Sequence, residues 1–263
     1  MSQFQSFVAM GDSFTEGMSD IGPNGRYRGW ADLVADRLSE SNVGMTYANL
    51  AVRGRLFDDV VDDQIPAALR LRPDLVSFAA GGNDALRPGF QPAKMASRLH
   101  EAIRVLTASG ATVLLLTSST VNSRLPAPGF LRGRFAAFNE IIRKVGARHG
   151  ATVVDLWLDD SFQDSRLWYK DRLHMSTLGH QRVADHVCRA LNIDPDPQWQ
   201  DNLPPVDPET WFARRRSDAS WARAYLAPWV HRRLTGRSSG DKVKAKRPQP
   251  RPVHSESSSW SSN

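Results

Sequence analysis

Cysteine is nearly absent from this 263-residue sequence, which contains only Cys188. A single cysteine excludes an intramolecular disulfide and any metal site built on several thiolates. No apolar run approaches the roughly 20 residues that a membrane-spanning helix needs. The first residues also lack the basic and apolar regions of a secretory signal. We therefore expect a cytoplasmic protein without disulfide bonds.

Net charge is almost absent from the first 194 residues and is concentrated near the end of the chain. Residues 195–263 carry 12 lysines and arginines against 7 acidic residues, and so hold most of the formal net charge of +6. A nearly neutral body with a basic extension indicates that the net positive charge belongs to the extension. It says little about the chemistry of the body.

Hydrophobic residues in the first 194 positions follow two alternating patterns. Short apolar runs predict strands, and longer segments between them have helical spacing. Strands that alternate with helices pair in parallel through right-handed crossovers, and strands that are apolar throughout have helices on both faces. The sequence therefore predicts an α/β fold with three α/β/α layers around a five-stranded parallel sheet. The predicted strands span residues 6–10, 45–50, 75–80, 112–117 and 152–156, and the predicted helices span 30–39, 56–71, 92–109, 131–149 and 177–191.

The pattern changes after the main domain, residues 1–194. Five prolines before residue 209 indicate an extended strap. Residues 209–234 have the spacing of an amphipathic helix, although Pro228 is expected to break or kink it. The Ser-, Pro- and Lys-rich residues 235–263 predict disorder. We therefore treat 195–234, the strap and the amphipathic segment, as a unit separate from the tail.

The amphipathic segment combines aromatic residues with six arginines. Trp221, Tyr225 and Trp229 are spaced four residues apart, so they lie on one face of a helix. This face could pack on the main domain and cover part of a pocket, or it could contact a membrane surface, where tryptophans lie among the headgroups and arginines meet anionic lipid. A third alternative is a protein or nucleic-acid partner. Nucleic acid is not expected, because the body carries no nucleic-acid-binding motif.

Four short polar segments lie where a parallel sheet would gather them. Three directly follow the first three predicted strands, and the fourth precedes the last predicted helix. In an open parallel sheet, ligands bind at the carboxyl ends of the strands where the strand order reverses. With the order 2-1-3-4-5, that point lies beside Ser13, between Gly54 and Asn83. The four segments are residues 11–14 (GDSF), 51–54 (AVRG), 81–84 (GGND) and 171–174 (DRLH).

Together these segments contain the parts of an acyl-transfer site. Ser13 is the candidate nucleophile, and a serine hydroxyl reacts near neutral pH only with a base in reach. His174 is the candidate base, because an imidazole accepts and returns protons in this range. Asp171 can bond the second ring nitrogen and fix its tautomer. The backbone N–H groups of Ser13 and Gly54 and the side-chain amide of Asn83 are candidate donors to the oxyanion.

The segments resemble the motifs of the SGNH (GDSL-like) hydrolases. These enzymes have a GDS motif early in the chain, a glycine after the second strand, a G-x-N-D motif after the third and D-x-x-H before the last helix. The resemblance implies a flavodoxin-like fold and hydrolysis of acyl esters, thioesters or O-acetyl groups without cofactor or metal. GDSF replaces GDSL here, which leaves the nucleophile unchanged. By this resemblance the name-giving residues are Ser13, Gly54, Asn83 and His174, and Asp171 completes the triad.

Three alternatives remain at this point. An acyltransferase would use the same site but pass the acyl group to an alcohol instead of water. A non-catalytic flavodoxin-like module would bind a phosphate there, but residues 11–17 match no phosphate-binding fingerprint. A metal-dependent hydrolase would need ligands such as His174, Asp171 and His180, and no HExxH or Cys/His cluster supports it. The expected partner is a small-molecule ester.

Other polar residues beside these segments have structural interpretations. Asp12 and Asp84 are expected to bond loop backbone rather than transfer protons. His180 is expected to pack in the last helix rather than act as a second base. Arg53 and Arg55 flank Gly54, and we expect them to be solvated or salt-bridged, with an anionic substrate group as the alternative partner.

Overall fold

A single sheet organises the main domain. The computed structural model describes residues 4–42, 44–120, 125, 128–200, 203–204, 210–235 and 238–253. Within them six strands form the sheet in the order β5-β4-β3-β1-β2-β6. The first five pair in parallel, in the predicted order 2-1-3-4-5. The strands are β1 (Ser6–Gly11), β2 (Thr46–Asn49), β3 (Leu75–Ala79), β4 (Thr112–Leu116), β5 (Thr152–Val154) and β6 (Arg247–Pro252).

Helices cover both faces of the sheet. The bounds are α1 (Ser13–Glu16), α2 (Trp30–Glu40), α3 (Phe57–Asp59), α4 (Ile65–Leu71), α5 (Gly82–Ala85), α6 (Pro92–Ala108), α7 (Pro128–His149), α8 (Thr177–Ala190), α9 (Trp211–Trp221) and α10 (Ala227–Leu234). Alternate residues of β1 belong to different cores, as a strand with two buried faces requires. Phe7 joins the core under α2 and α8, and Val8 joins the core under α4, α6 and α7. The three-layer α/β/α prediction is therefore confirmed. Cys188 lies on the buried face of α8, and burial raises the pKa of its thiol to about 12.

The sixth strand corrects two expectations: a sheet of five strands, and a disordered tail from residue 235. β6 pairs antiparallel with β2 at the edge of the sheet. Just before β6, the Lys246 ammonium contacts the Asp32 carboxylate at 2.5 Å. The guanidinium of Arg247, the first residue of β6, donates to the Tyr47 carbonyl at 2.8 Å. The expected disorder of residues 254–263 concerns positions outside the described residues.

The prolines that suggested disorder are compatible with this edge position. They occupy every second residue of β6, whose sequence is RPQPRP. Val253 follows β6 and continues the set of positions that alternates with the prolines. Its N–H donates to the carbonyl of Met45, the residue just before β2. Since neighbouring N–H groups in a strand point to opposite sides, the proline nitrogens face away from β2. An edge without these donors also resists pairing with a further strand.

The amphipathic segment stays helical past Pro228. A π-helical turn, Ala222–Leu226, joins α9 to α10, and Pro228 is the second residue of α10. The wide turn accommodates the missing N–H and the bulk of the proline ring, so the predicted break does not occur. No helix in the described part of the chain is both long and apolar enough to span a membrane.

Candidate active site

The end of β1 presents Ser13 at the carboxyl edge of the sheet. Gly11 turns the chain with a φ of +153°, and a Cβ there would lie 2.4 Å from the Ala79 carbonyl oxygen, so only glycine fits. The Asp12 carboxylate then accepts a hydrogen bond from the Phe14 N–H at 3.1 Å and caps α1. Ser13 is therefore the first residue of a short helix at the point where the strand order reverses.

Ser13, His174 and Asp171 form a continuous chain of hydrogen bonds. The distance from Ser13 Oγ to His174 Nε2 is 3.0 Å, and that from His174 Nδ1 to Asp171 Oδ2 is 2.6 Å. Ser13 follows β1 and the other two residues precede α8, so 161 positions separate the two ends of the Ser13–His174 bond. With the ring proton on Nδ1, Nε2 is left to accept from the serine hydroxyl.

The Asp171–His174 loop is built to hold its carboxylate ionised. Asp171 Oδ1 accepts from the backbone N–H groups of Leu173 and His174, each at 3.0 Å. Burial acts to raise the pKa of Asp171, but the hydrogen bonds from His174 and these N–H groups outweigh it, so its pKa lies below the usual value. Arg172 sits in the left-handed region at φ +62°, which makes the tight turn that points both N–H groups at one oxygen.

Two backbone N–H groups beside Ser13 are available as donors. Among the described residues, the N–H groups of Ser13 and Gly54 donate no hydrogen bond. Asn83 differs from expectation, because its amide donates to Asp12 Oδ2 at 3.1 Å and to the Arg55 carbonyl at 3.0 Å. Its two hydrogens are thus both engaged, and they tie the loops after β1, β2 and β3 together.

The polar residues with structural interpretations have backbone partners. Asp84 accepts from the Phe57 N–H at 2.9 Å. His180 is fully buried, its Nδ1 accepts from the Trp30 N–H at 3.2 Å, and burial lowers its pKa to about 4, so the ring is neutral. Asp12 caps α1, and burial raises the pKa of this carboxyl to about 6.

Neither arginine beside Gly54 lines the cavities around Ser13. The Arg53 guanidinium pairs with the buried Glu16 carboxylate, with Nε 3.0 Å from Oε1, and stacks on the Tyr27 ring. Arg55 lies at the surface, 3.5 Å from the Asp63 carboxylate. Both therefore have the ion-paired state expected of them rather than a free guanidinium.

Two cavities meet at Ser13. The smaller one, about 140 Å³, extends toward the ends of β3 and β4, and the Phe135 and Phe138 side chains line it. The larger one, about 580 Å³, extends toward α9 and α10. Ser13, Asn83 and His174 line both. A bond broken at Ser13 could therefore have one substituent in each cavity.

Sequence reasoning included packing of the amphipathic segment on the main domain, but it did not identify which loops the residues after 209 contact. The Trp221 indole N–H donates to the Asp171 carbonyl at 2.8 Å, and the nearly buried Arg172 pairs with Asp218 at 2.8 Å. Ser238 lies over Gly54, where a Cβ would come within 2.2 Å of the serine Oγ. The aromatic spacing signalled a buried helix face, but nothing local in the sequence signalled its partner.

This arrangement matches the first interpretation of the amphipathic segment. Trp221, Tyr225 and Trp229 all line the larger cavity, so their shared face covers the site. Membrane binding stays a prediction. The aromatic residues of α9 that are open to solvent are Trp211, 62% exposed, and Phe212, 79% exposed.

Comparison with known proteins places these residues in a family. The model of the GDSL-like lipase/acylhydrolase family matches residues 9–182. Esterase TesA of Pseudomonas aeruginosa is 26% identical over 189 residues, which cover 71% of this chain and 88% of the relative. An arylesterase of Vibrio mimicus is 26% identical over 165 residues, 62% of this chain and 78% of the relative.

Solved structures agree with the fold. The crystal structure of TesA has a TM-score of 0.60 and 25% identity, covering 71% of this chain and 97% of that chain. An acetylxylan esterase from Geobacillus stearothermophilus, at 16% identity, has a TM-score of 0.60 over 72% of this chain and 94% of that chain, which supports the fold alone. The chain belongs to the GDSL-like lipase/acylhydrolase family and is an enzyme that acts on ester bonds.

Proposed function

We propose that the protein hydrolyses acyl esters through an acyl-enzyme on Ser13. The observation that carries this proposal is the hydrogen-bonded chain from Ser13 Oγ through His174 to Asp171. Ser13 and Gly54 both line the larger cavity, and their backbone N–H groups have no acceptor among the described residues. Nucleophile, base, orienting carboxylate and oxyanion donors are the four components that acyl transfer by serine requires.

The chemistry follows from this geometry. Ser13 Oγ attacks the ester carbonyl carbon while His174 Nε2 takes the hydroxyl proton. The carbonyl oxygen becomes an oxyanion, which the N–H groups of Ser13 and Gly54 stabilise, and Asp171 stabilises the imidazolium. Collapse of the intermediate breaks the ester C–O bond, and His174 gives its proton to the departing alcohol. Water then attacks the acyl-enzyme by the reverse path and releases the carboxylic acid.

The two cavities indicate where the acyl part and the alcohol part of an ester would each bind. The smaller cavity, of about 140 Å³, has Phe135 and Phe138 among its lining residues, so it suits a short apolar acyl group. The larger cavity then accepts the alcohol part. The relatives are named esterase, arylesterase and acetylxylan esterase, so short acyl groups on varied alcohols fit the proposal.

A fluorophosphonate probe tests the nucleophile directly. The purified protein should hydrolyse p-nitrophenyl acetate and butyrate, and the probe should abolish this activity as it modifies one residue. Peptide mass spectrometry should place the modification on Ser13, because among the described hydroxyl groups that line the cavities this one has an imidazole within hydrogen-bond distance. Modification of another serine, or hydrolysis that survives complete labelling of Ser13, would contradict the proposal. Free acid as the main product in the presence of a competing alcohol separates hydrolysis from acyl transfer.

Asn83 gives a second prediction, since its amide is engaged before substrate arrives. If the oxyanion draws one amide hydrogen away from Asp12 or the Arg55 carbonyl, Asn83→Ala should lower kcat by roughly 10²–10³-fold with little change in KM. Steady-state kinetics with p-nitrophenyl butyrate measures both constants. A rise in KM with kcat preserved would place Asn83 in ground-state binding instead.

A further inference from the structure

Two parts of the chain form the walls of the larger cavity. The main domain supplies the floor and one side, including Met18, Ile21 and Tyr27. The opposite side comes from the segment after residue 209. Its lining residues, which we call the extension wall, are Trp221, Tyr225, Leu226, Trp229, Arg232, Ser238 and Ser239.

Several contacts hold the extension wall against the main domain. Trp221 is bonded to the Asp171 carbonyl, and Arg172 both pairs with Asp218 and stacks on the Trp221 ring at 4.7 Å. Farther on, a Cβ on Gly240 would lie 1.9 Å from the Arg53 carbonyl oxygen, so this backbone packs tightly against the Gly54 loop. Lys246 and β6 then anchor the chain to the sheet. The wall is therefore a built part of the site.

The charge on this wall has no counterion in the part of the chain that the structure describes. Apart from three tyrosines, the titratable side chains that line the larger cavity are Asp171, His174 and Arg232. The Asp171 carboxylate is already committed to His174 and to backbone N–H groups. Arg232 is half-buried, and its guanidinium has no hydrogen bond or ion pair among the described residues. A partly desolvated arginine beside apolar walls strongly favours an anionic ligand.

We infer that the larger cavity binds the alcohol part of an ester that has an aromatic or otherwise apolar body and an anionic group, which Arg232 recognises. This inference rests on the proposed function, because it assigns a substrate class to the site around Ser13. The apolar body would lie against Trp221, Tyr225 and Trp229. A carboxylate, sulfate or phosphate would meet the guanidinium in a paired geometry.

Two matched substrates test this inference. They are the acetate esters of a hydroxynaphthoic acid and of the corresponding hydroxynaphthamide, which share size and shape but differ in charge. Release of the naphthol is followed by fluorescence, and each kcat/KM is divided by the rate of spontaneous hydrolysis to remove leaving-group differences. We expect the wild type to prefer the carboxylate by roughly 10- to 100-fold, the value of a hydrogen bond between charged groups.

Variants assign that preference to one side chain. Arg232→Gln should reduce the ratio to near one by lowering kcat/KM for the anionic ester only, and Arg232→Lys should keep part of it. Arg223→Gln is the matched control, because it removes the same charge from an exposed position of the preceding turn. Hydrolysis of both esters without preference, or an equal loss in Arg223→Gln, would overturn the inference. Failure to hydrolyse either naphthyl ester by a protein that still hydrolyses p-nitrophenyl acetate would also overturn the inference, whereas failure with p-nitrophenyl acetate as well would refute the proposed function.

Discussion

Replacing Ser13 with alanine is expected to lower kcat for p-nitrophenyl butyrate by roughly 10⁶-fold, the cost of removing the nucleophile from a serine–histidine–aspartate site. The change deletes one oxygen that contacts His174 Nε2. The backbone N–H of residue 13 and the Asp171–His174 loop remain, so substrate should still bind. Residual activity would then reflect the oxyanion donors and binding alone.

The free energy of unfolding of Ser13→Ala should change by less than about 1 kcal/mol, because the deleted group is one small hydroxyl. Urea unfolding of the two proteins measures this difference. Ser109→Ala, at the end of α6 and far from the cavities, is the matched control and should keep full activity. Activity within tenfold of the wild type in Ser13→Ala would show that another group attacks the ester.

Much of the site could be predicted from the sequence because parallel strands deliver their following residues to one edge. Ser13, Gly54 and Asn83 each follow one of three adjacent strands, so strand order alone brings them together. The Asp171–His174 segment lies just before α8, and its motif identified it. What spacing could not show is that the Asn83 amide is already bonded to Asp12, since hydrogen bonding depends on side-chain geometry.

The path of the last 50 residues was not predictable in the same way. Their composition predicted an amphipathic helix as far as residue 234 and disorder after it, and the prolines of β6 argue against a strand in an interior position. Order there comes from contacts distant in sequence, such as Lys246 with Asp32, 214 positions apart, and Trp221 with Asp171, 50 apart. The sequence around each of these residues is explained by its own local pattern. It therefore does not show which distant residue the side chain contacts.

Asp171→Asn is expected to lower kcat by roughly 10⁴-fold, although the two side chains have the same shape. The asparagine oxygen can still accept from the N–H groups of Leu173 and His174, as Asp171 Oδ1 does. Its NH₂ group would then face His174 Nδ1 and donate to it. The ring proton would move to Nε2, which could no longer accept from Ser13. The Trp221 bond uses the residue 171 carbonyl, so the extension wall should stay in place.

Kinetics with p-nitrophenyl butyrate and the rate of fluorophosphonate labelling should fall together in Asp171→Asn. Asp164→Asn, which removes an equivalent charge from the pair with Arg166, should change neither by more than about threefold, since it touches no reacting group. The double variant gives the sharper test. In a Ser13→Ala background, adding Asp171→Asn should cost less than about threefold, because without the hydroxyl the imidazole has no proton to take and the three residues act as a unit. A second, independent loss of several orders of magnitude would mean that Asp171 contributes by a route other than His174 and Ser13.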